Sequence, residues 1–269
     1  ALAELGLARS RSHAAELIAR GRVSCDGRPA AKSGARVTGG TMLEVSGAEH
    51  YVGRAAHKLL AGLDAFTIDP AGLLALDLGA STGGFTQVLL ERGAREVIAP
   101  DVGHGQLTPE LRADPRVRVV EGCNARELDA ARLAAESGTA EAPQLVVADL
   151  SFISLVLVLP AIARTAPRAR LVLLVKPQFE VGRQGVRDGI VVDAALAAEA
   201  VERVLAAAAA SGFACTGLTR SPIDGEHGNR ELLACFEPAD PDLSAGADAV
   251  HPDPTEWRGR IRALLGGEA

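Results

Sequence analysis

The sequence predicts an α/β fold, a mostly parallel sheet with helices on both faces and an antiparallel last strand, preceded by a small α+β module. Three observations predict it. Short apolar runs alternate with helix-like stretches along most of the chain. One run, residues 73–78, leads into Gly79, Gly83 and Gly84 and then a helix-like stretch, Phe85–Glu91. Strand, glycine turn and helix in that order open a nucleotide-binding unit. Charge is also uneven: residues 1–58 hold nine Lys/Arg against five acidic residues, although the whole chain carries −6. That asymmetry marks a basic module joined to an acidic one.

Taken in order, the first element is a helix capped by Ser10 and running through Arg20, with Gly21 ending it and Ala14, Leu17 and Ile18 as its buried stripe. Val23–Cys25 reads as a strand entering an Asp26-Gly27 turn, and 41–45 as a later strand. Residues 1–46 form this module. Residues 47–54 have turn composition and no periodicity, the mark of a linker, and 55–269 form the larger domain. Its first helix places Ala55, Leu59, Leu60, Leu63 and Phe66 on one side and carries Lys58. Strands are expected at 73–78, 96–100, 117–120, 144–149, 169–175, 213–219 and 231–236. The alanine-rich stretch 194–210 is helix propensity, not chemistry. The tail from Pro238 is Pro/Asp/Ala-rich until a short helix near 257–265.

Several classes fall away. The four cysteines, Cys25, Cys123, Cys215 and Cys235, lack ligand spacing, so neither a metal site nor a disulfide framework is indicated, and reduced thiols fit a cytoplasmic protein. The uncharged run 150–163 contains Pro160 and is too short to span a bilayer. No signal peptide is recognisable, and no membrane or obligate protein partner is indicated. The chain opens on Ala1, so residues ahead of it are expected to have been removed.

The glycine turn selects among nucleotides. Ser81 stands where a dinucleotide fingerprint needs its second glycine, the residue that lets a pyrophosphate approach. Asp77 at the end of the strand disfavours an anionic phosphate and suits a cationic or zwitterionic ligand. Asp101, at the tip of the next strand, can accept both hydroxyls of a ribose. S-adenosylmethionine, with a sulfonium, an amino group, a ribose diol and no phosphate, fits better than NAD. Asp77, Gly79, Ser81, Gly83, Gly84, Phe85 and Asp101 are the candidate cofactor residues.

In such a sheet ligands bind at the carboxyl ends of the strands. Asp149 closes the run Leu145–Ala148, and Lys176 closes Leu171–Val175. Glu231 opens the final strand, which, being antiparallel, starts where the others finish. One strand-end charge is ordinary; three at one sheet edge are not. Of 28 basic residues only Lys32, Lys58 and Lys176 are lysines. Arginine stays charged in proteins whereas lysine can release its proton, so a lysine kept in an arginine-rich chain suits a general base.

Two resemblances follow from these residues. The stretch 6–28, with Arg-Ser-Arg at 9–11, Leu17-Ile18, Gly21-Arg-Val23 and Asp26-Gly27, resembles the small RNA-binding domain named after ribosomal protein S-four, two helices on a small sheet. It implies RNA contacts by Arg9, Arg11, Arg20 and Arg22. Ala80–Thr86, Asp101–Leu107, Asp149–Leu155, Lys176–Glu180 and Gly228–Leu233 together resemble the TlyA family, long labelled hemolysins. These are S-four-plus-FtsJ-type ribosomal RNA 2′-O-ribose methyltransferases whose targets are cytidines in both ribosomal subunits. The resemblance implies S-adenosylmethionine as cofactor, with Asn124 near the adenine, a Lys-Asp-Lys-Glu tetrad at Lys58, Asp149, Lys176 and Glu231, ribosomal RNA as partner, and Phe152 stacking on the target base. Pro100, His104 and Ala55-Ala56 depart from the family pattern, and none is a tetrad member. Other readings stay open at this point: a base N-methyltransferase, since Asp149-Leu-Ser-Phe152 loosely matches an Asp-Pro-Pro-Tyr motif; a membrane-active hemolysin; a non-enzymatic RNA-binding protein; and, for Phe152, core packing.

Overall fold

The computed structural model describes the chain except residues 6, 9–10, 20, 31, 36, 39, 46–49, 183–184, 240–253 and 267–269. Ser10, Arg9, Arg20 and residues 47–49 of the expected linker therefore lie outside the described residues. The chain divides into two compact units, Ala1–His50 and Tyr51–Ala269.

In the first unit, helix α1 (Arg11–Ala19) is followed by β1 (Val23–Cys25), β2 (Arg28–Pro29) and β3 (Leu43–Val45), an antiparallel sheet in the order β2-β1-β3. Gly21 at φ 65 ends the helix, and Arg22 N–H reaches back to the Leu17 carbonyl. Asp26 and Gly27 both have positive φ, 50 and 75, the backbone a two-residue hairpin turn requires. Asp26 also pins the third strand: its carboxylate accepts from Met42 N–H at 2.8 Å. Leu2, Ala8, Leu17 and Val23 are the buried core. Arg11 and Arg22 are exposed. The described residues contain one of the two helices that the S-four resemblance implies.

The second unit runs α2 (Ala55–Ala65), β4 (Leu74–Leu78), α3 (Gly84–Glu91), β5 (Glu96–Asp101), α4 (Pro109–Ala113), β6 (Val117–Glu121), α5 (Ala130–Ser137), β7 (Leu145–Ala148), α6 (Leu155–Thr165), β8 (Arg170–Val175), α7 (Pro177–Glu180), α8 (Ala194–Ala210), β9 (Phe213–Arg220), β10 (Leu232–Pro238) and α9 (Pro254–Leu265). All seven expected strands are present. They form one sheet in the order β6-β5-β4-β7-β8-β10-β9, with β10 antiparallel to both neighbours. β4, β7 and β8 are buried on both faces, which is why they read as apolar runs rather than alternations. Leu74, Leu76 and Leu78 join a layer with Val158, Ile162, Val201 and Trp257 from α6, α8 and α9. Ala75, Val97 and Leu145 face Leu59, Leu63, Phe85 and Val88 from α2 and α3.

Two features of topology place the site. Strand order reverses between β4 and β7, and that switch point opens a crevice at the carboxyl ends of the strands. The register Leu232↔Val175 sets Glu231, at the start of β10, beside Lys176, at the end of β8. Among the described residues no helix is long and apolar enough to cross a membrane.

Candidate active site

The glycine turn is shaped by backbone that side chains would block. Gly79 has φ 80, and a Cβ there would come within 2.7 Å of Leu150 Cδ2. Gly83 has φ 99, and its Cβ would meet Leu107 Cδ1 at 2.8 Å. Ser81 holds a left-handed φ of 50 without being glycine, a sparsely populated backbone state that neighbouring contacts must enforce. Asp101 supplies one: its Oδ2 accepts from Ser81 N–H at 2.8 Å, and its Oδ1 accepts from Gly103 N–H at 2.7 Å. The carboxylate is thereby fixed at the strand tip, and each oxygen keeps a further lone pair.

Asp77 is buried and accepts from Thr86 Oγ at 2.6 Å. Its Oδ1 is buried with no partner. Burial pushes its pKa up to about 7, against the Thr86 hydrogen bond and with the help of the nearby Asp149 charge. Asn124 follows Cys123, whose N–H donates to the Asp101 carbonyl at 2.9 Å. Its side chain caps the turn Ala125–Glu127, accepting from Arg126 N–H at 3.2 Å and donating to Glu127 at 2.9 Å.

A cavity of about 330 Å³ at the crevice is lined by Lys58, Asp149, Lys176 and Glu231 together with Gly79, Ser81, Gly84, Phe85 and Phe152. Asp77, Gly83, Asp101 and Asn124 stand outside its lining. The four charges form two pairs. Lys58, on α2, donates to Glu231 Oε2 at 2.5 Å, with side chains 5% and 2% exposed. Gln178 donates to the other Glu231 oxygen at 3.1 Å. Lys176 Nζ lies 2.7 Å from Asp149 Oδ1. That oxygen has no partner of hydrogen-bond geometry, so the contact is Coulombic. Lys176 donates instead to Ser151 Oγ at 2.9 Å.

Phe152 does not join the core: it is 88% exposed, with φ 64, and its ring lies 5.2 Å from that of Phe179. Lys176 Nζ sits 5.7 Å from the centre of the Phe179 ring. Ser151, Gln178 and Phe179 are among the lining residues that sequence reasoning missed. All three lie one to three positions beyond a strand-tip charge, a position that was itself a signal.

A family model described as FtsJ-like methyltransferase matches residues 51–237, and one described as S4 domain matches 1–43. The chain is 49% identical to the 16S/23S rRNA (cytidine-2′-O)-methyltransferase TlyA of Mycobacterium tuberculosis, over 93% of this chain and 94% of that protein. It is 39% identical to a candidate rRNA methyltransferase of Bacillus subtilis, YqxC, over 86% of this chain and 82% of the other. The solved structure of a candidate hemolysin from Streptococcus thermophilus superposes with a TM-score of 0.74 at 36% identity, covering 98% of this chain and 94% of that one. The chain belongs to the TlyA family of FtsJ-like methyltransferases. Its methyl donor is S-adenosylmethionine.

The residues of this TlyA-family chain fit that cofactor. Asp101, pinned with lone pairs to spare, fits a ribose diol. The unfilled buried acceptor on Asp77 fits an ammonium group, directly or through one water. The glycines leave the space that a closely packed ligand needs.

Proposed function

We propose that this chain methylates the ribose 2′-hydroxyl of a cytidine in ribosomal RNA. One observation carries the reading: two lysine–carboxylate pairs, from four separate elements, converge in one cavity beside the glycine turn. A base methyltransferase has no use for two buried lysines; a poorly acidic hydroxyl does. When bound, S-adenosylmethionine supplies an electrophilic methyl group on sulfur.

Lys176 takes the proton from the 2′-hydroxyl. Asp149, 2.7 Å away, stabilises the ammonium that results, and Ser151 fixes its direction. Lys58, held by Glu231 and Gln178, presents a fixed donor to the ribose oxygens. Most of the acceleration comes from alignment of the hydroxyl with the methyl group. Exposed Phe152 stacks on the target base once it leaves its helix. Asp77, Gly79, Ser81, Gly83, Gly84, Phe85, Asp101 and Asn124 hold the cofactor. Residues 1–46 supply RNA affinity through Arg9, Arg11, Arg20 and Arg22, joined by 47–54 to a catalytic domain, 55–269. A ribosomal substrate places the enzyme in the cytoplasm.

The test is incubation with ribosomes and labelled cofactor, followed by nucleoside mass spectrometry. The expected product is 2′-O-methylcytidine. A base-methylated nucleoside, or no incorporation at all, overturns the reading.

A further inference from the structure

Glu180 closes the Lys176–Glu180 motif, yet it does not line the cavity and the reaction gives it no part. It is partly buried, and burial raises its pKa against the hydrogen bonds it accepts. Its Oε2 accepts from Ser154 Oγ at 2.5 Å, and its Oε1 accepts from Leu155 N–H at 2.8 Å. Both donors belong to the start of α6. Ser154 is the N-cap of that helix, and its hydroxyl oxygen also accepts from Val156 N–H at 3.2 Å. A carboxylate brought from another segment thus completes the cap of a helix N-terminus, where negative charge is favoured.

What this cap joins matters more than the helix it ends. The ladder between β7 and β8 stops at Ala148↔Leu173. Beyond it the chain makes two excursions, 149–154 and 176–180, with no sheet pairing between them. The first carries Asp149, Ser151 and Phe152; the second carries Lys176, Gln178 and Phe179. At their strand ends they meet through Lys176–Asp149. At their far ends they meet through Glu180 and Ser154–Leu155. Between the two closures lie the Lys176–Ser151 hydrogen bond and the Phe152–Phe179 ring contact. The excursions therefore form a ring clasped at both ends, and Phe152 holds its positive φ inside it.

We propose that Glu180 is a positioning residue for methyl transfer: its clasp on Ser154 and Leu155 sets the spacing of the two excursions and so the aim of Lys176 and the Phe152–Phe179 pair. The inference rests on the 2′-O-methyl transfer reading. Without the clasp the excursions separate and Lys176 loses its line to the hydroxyl, while the ribose side of the cofactor turn, Asp101 with its bonds to Ser81 and Gly103, stays in place.

The experiment is single-turnover methyl transfer to ribosomes by the full chain, with calorimetric S-adenosylmethionine binding on each variant. Glu180→Ala lowers the rate constant roughly a hundredfold, the scale of about 1 Å of misplacement, while KM for ribosomes and cofactor affinity hold. Glu180→Gln recovers to within about fivefold, because its amide can still accept from Leu155 N–H and donate to Ser154 Oγ. Glu180→Ala with Ser154→Ala is no slower than Glu180→Ala alone, since the two residues act as one unit. Where Glu180→Ala does not fold, Ser154→Ala, which removes one arm, decides with a loss of about tenfold. A Glu180→Ala rate within about threefold of the parent overturns the clasp, as does a loss matched by an equal loss of cofactor-binding sites. The parent's product, read by mass spectrometry, tests the functional reading separately: the rate ratios are taken on whichever methylated nucleoside it makes.

Discussion

The two lysine–carboxylate pairs share a cavity but are built differently. Lys58–Glu231 is sealed: both side chains are almost fully buried, the hydrogen bond is direct, and Gln178 occupies the second carboxylate oxygen. Lys176–Asp149 is looser: its side chains are 10% and 16% exposed, its oxygen lies off the hydrogen-bonding direction, and the lysine is shared with Ser151 and the Phe179 face. A buried pair with both carboxylate oxygens engaged is a fixed post, because moving either partner strands a charge in low dielectric. A pair with a slack contact can exchange a proton without rebuilding its surroundings. On the proposed function, the first pair is the one that positions and the second the one that transfers the proton.

The largest effect expected from breaking that comparison comes from Lys176→Arg. It keeps the charge and the pairing with Asp149, but a guanidinium does not release a proton in proteins. Single-turnover methyl transfer should fall by at least about a thousandfold, near 4 kcal/mol of barrier, with cofactor binding intact. An arginine variant within about tenfold of the parent would reduce Lys176 to a positioning charge and erase the distinction.

The next effect is on stability rather than rate. Glu231→Gln leaves Lys58 buried without its counter-charge and should cost about 3 kcal/mol in denaturant unfolding. Asp149→Asn, in the looser pair, whose lysine still keeps Ser151, should cost less, about 2 kcal/mol. Equal losses would mean that the two pairs carry the same structural load.

How much of this was legible in the sequence depends on distance along the chain. The seven strands were, β4, β7 and β8 because strands buried on both faces are written as apolar runs, and Asp149, Lys176 and Glu231 were, because each stands at one end of an apolar run. The two-residue turn at Asp26-Gly27 was legible from its composition alone. The pairing of Lys58 with Glu231 was offered only by the family resemblance, beside a contact of Glu231 with the ribose: 173 positions separate the two residues, and the Leu232↔Val175 register and the packing of α2 bring them together. Phe152 was ambiguous because an aromatic after a strand reads the same whether it turns inward or out; its positive φ, invisible in sequence, turns it out. Glu180 and Gln178 carried no signal of their own, since their partners sit on other segments.

Asp77 extends the comparison to a third carboxylate, one with no lysine at all. Glu231 and Asp149 each face an ammonium; Asp77 faces the hydroxyl and backbone N–H of Thr86, with only the carboxylates of Asp149 and Asp101 as nearby charges. Burial therefore favours its protonated form, with a pKa of about 7 in the fold against 3.8 for the free group. Between those values the folded state binds more protons than the unfolded state, so stability falls as pH rises through the window and levels off above pH 7. From pH 5 to pH 8 this one group should remove on the order of 2–3 kcal/mol. Asp77→Asn cannot titrate, so urea unfolding of the variant should lack that part of the decline. Glu180, also raised by burial, adds a slope of the same sign in both proteins, so the parent-minus-variant difference is the quantity that isolates Asp77. The asparagine amide lacks an acceptor where Oδ1 lacks a donor, which costs the variant at every pH and leaves the difference in slope unchanged. The same substitution should weaken S-adenosylmethionine binding, since an ammonium next to Asp77 favours the ionised carboxylate. A variant with the parent's pH slope would show that Asp77 is ionised in the fold, and that a carboxylate here needs no lysine to stay charged.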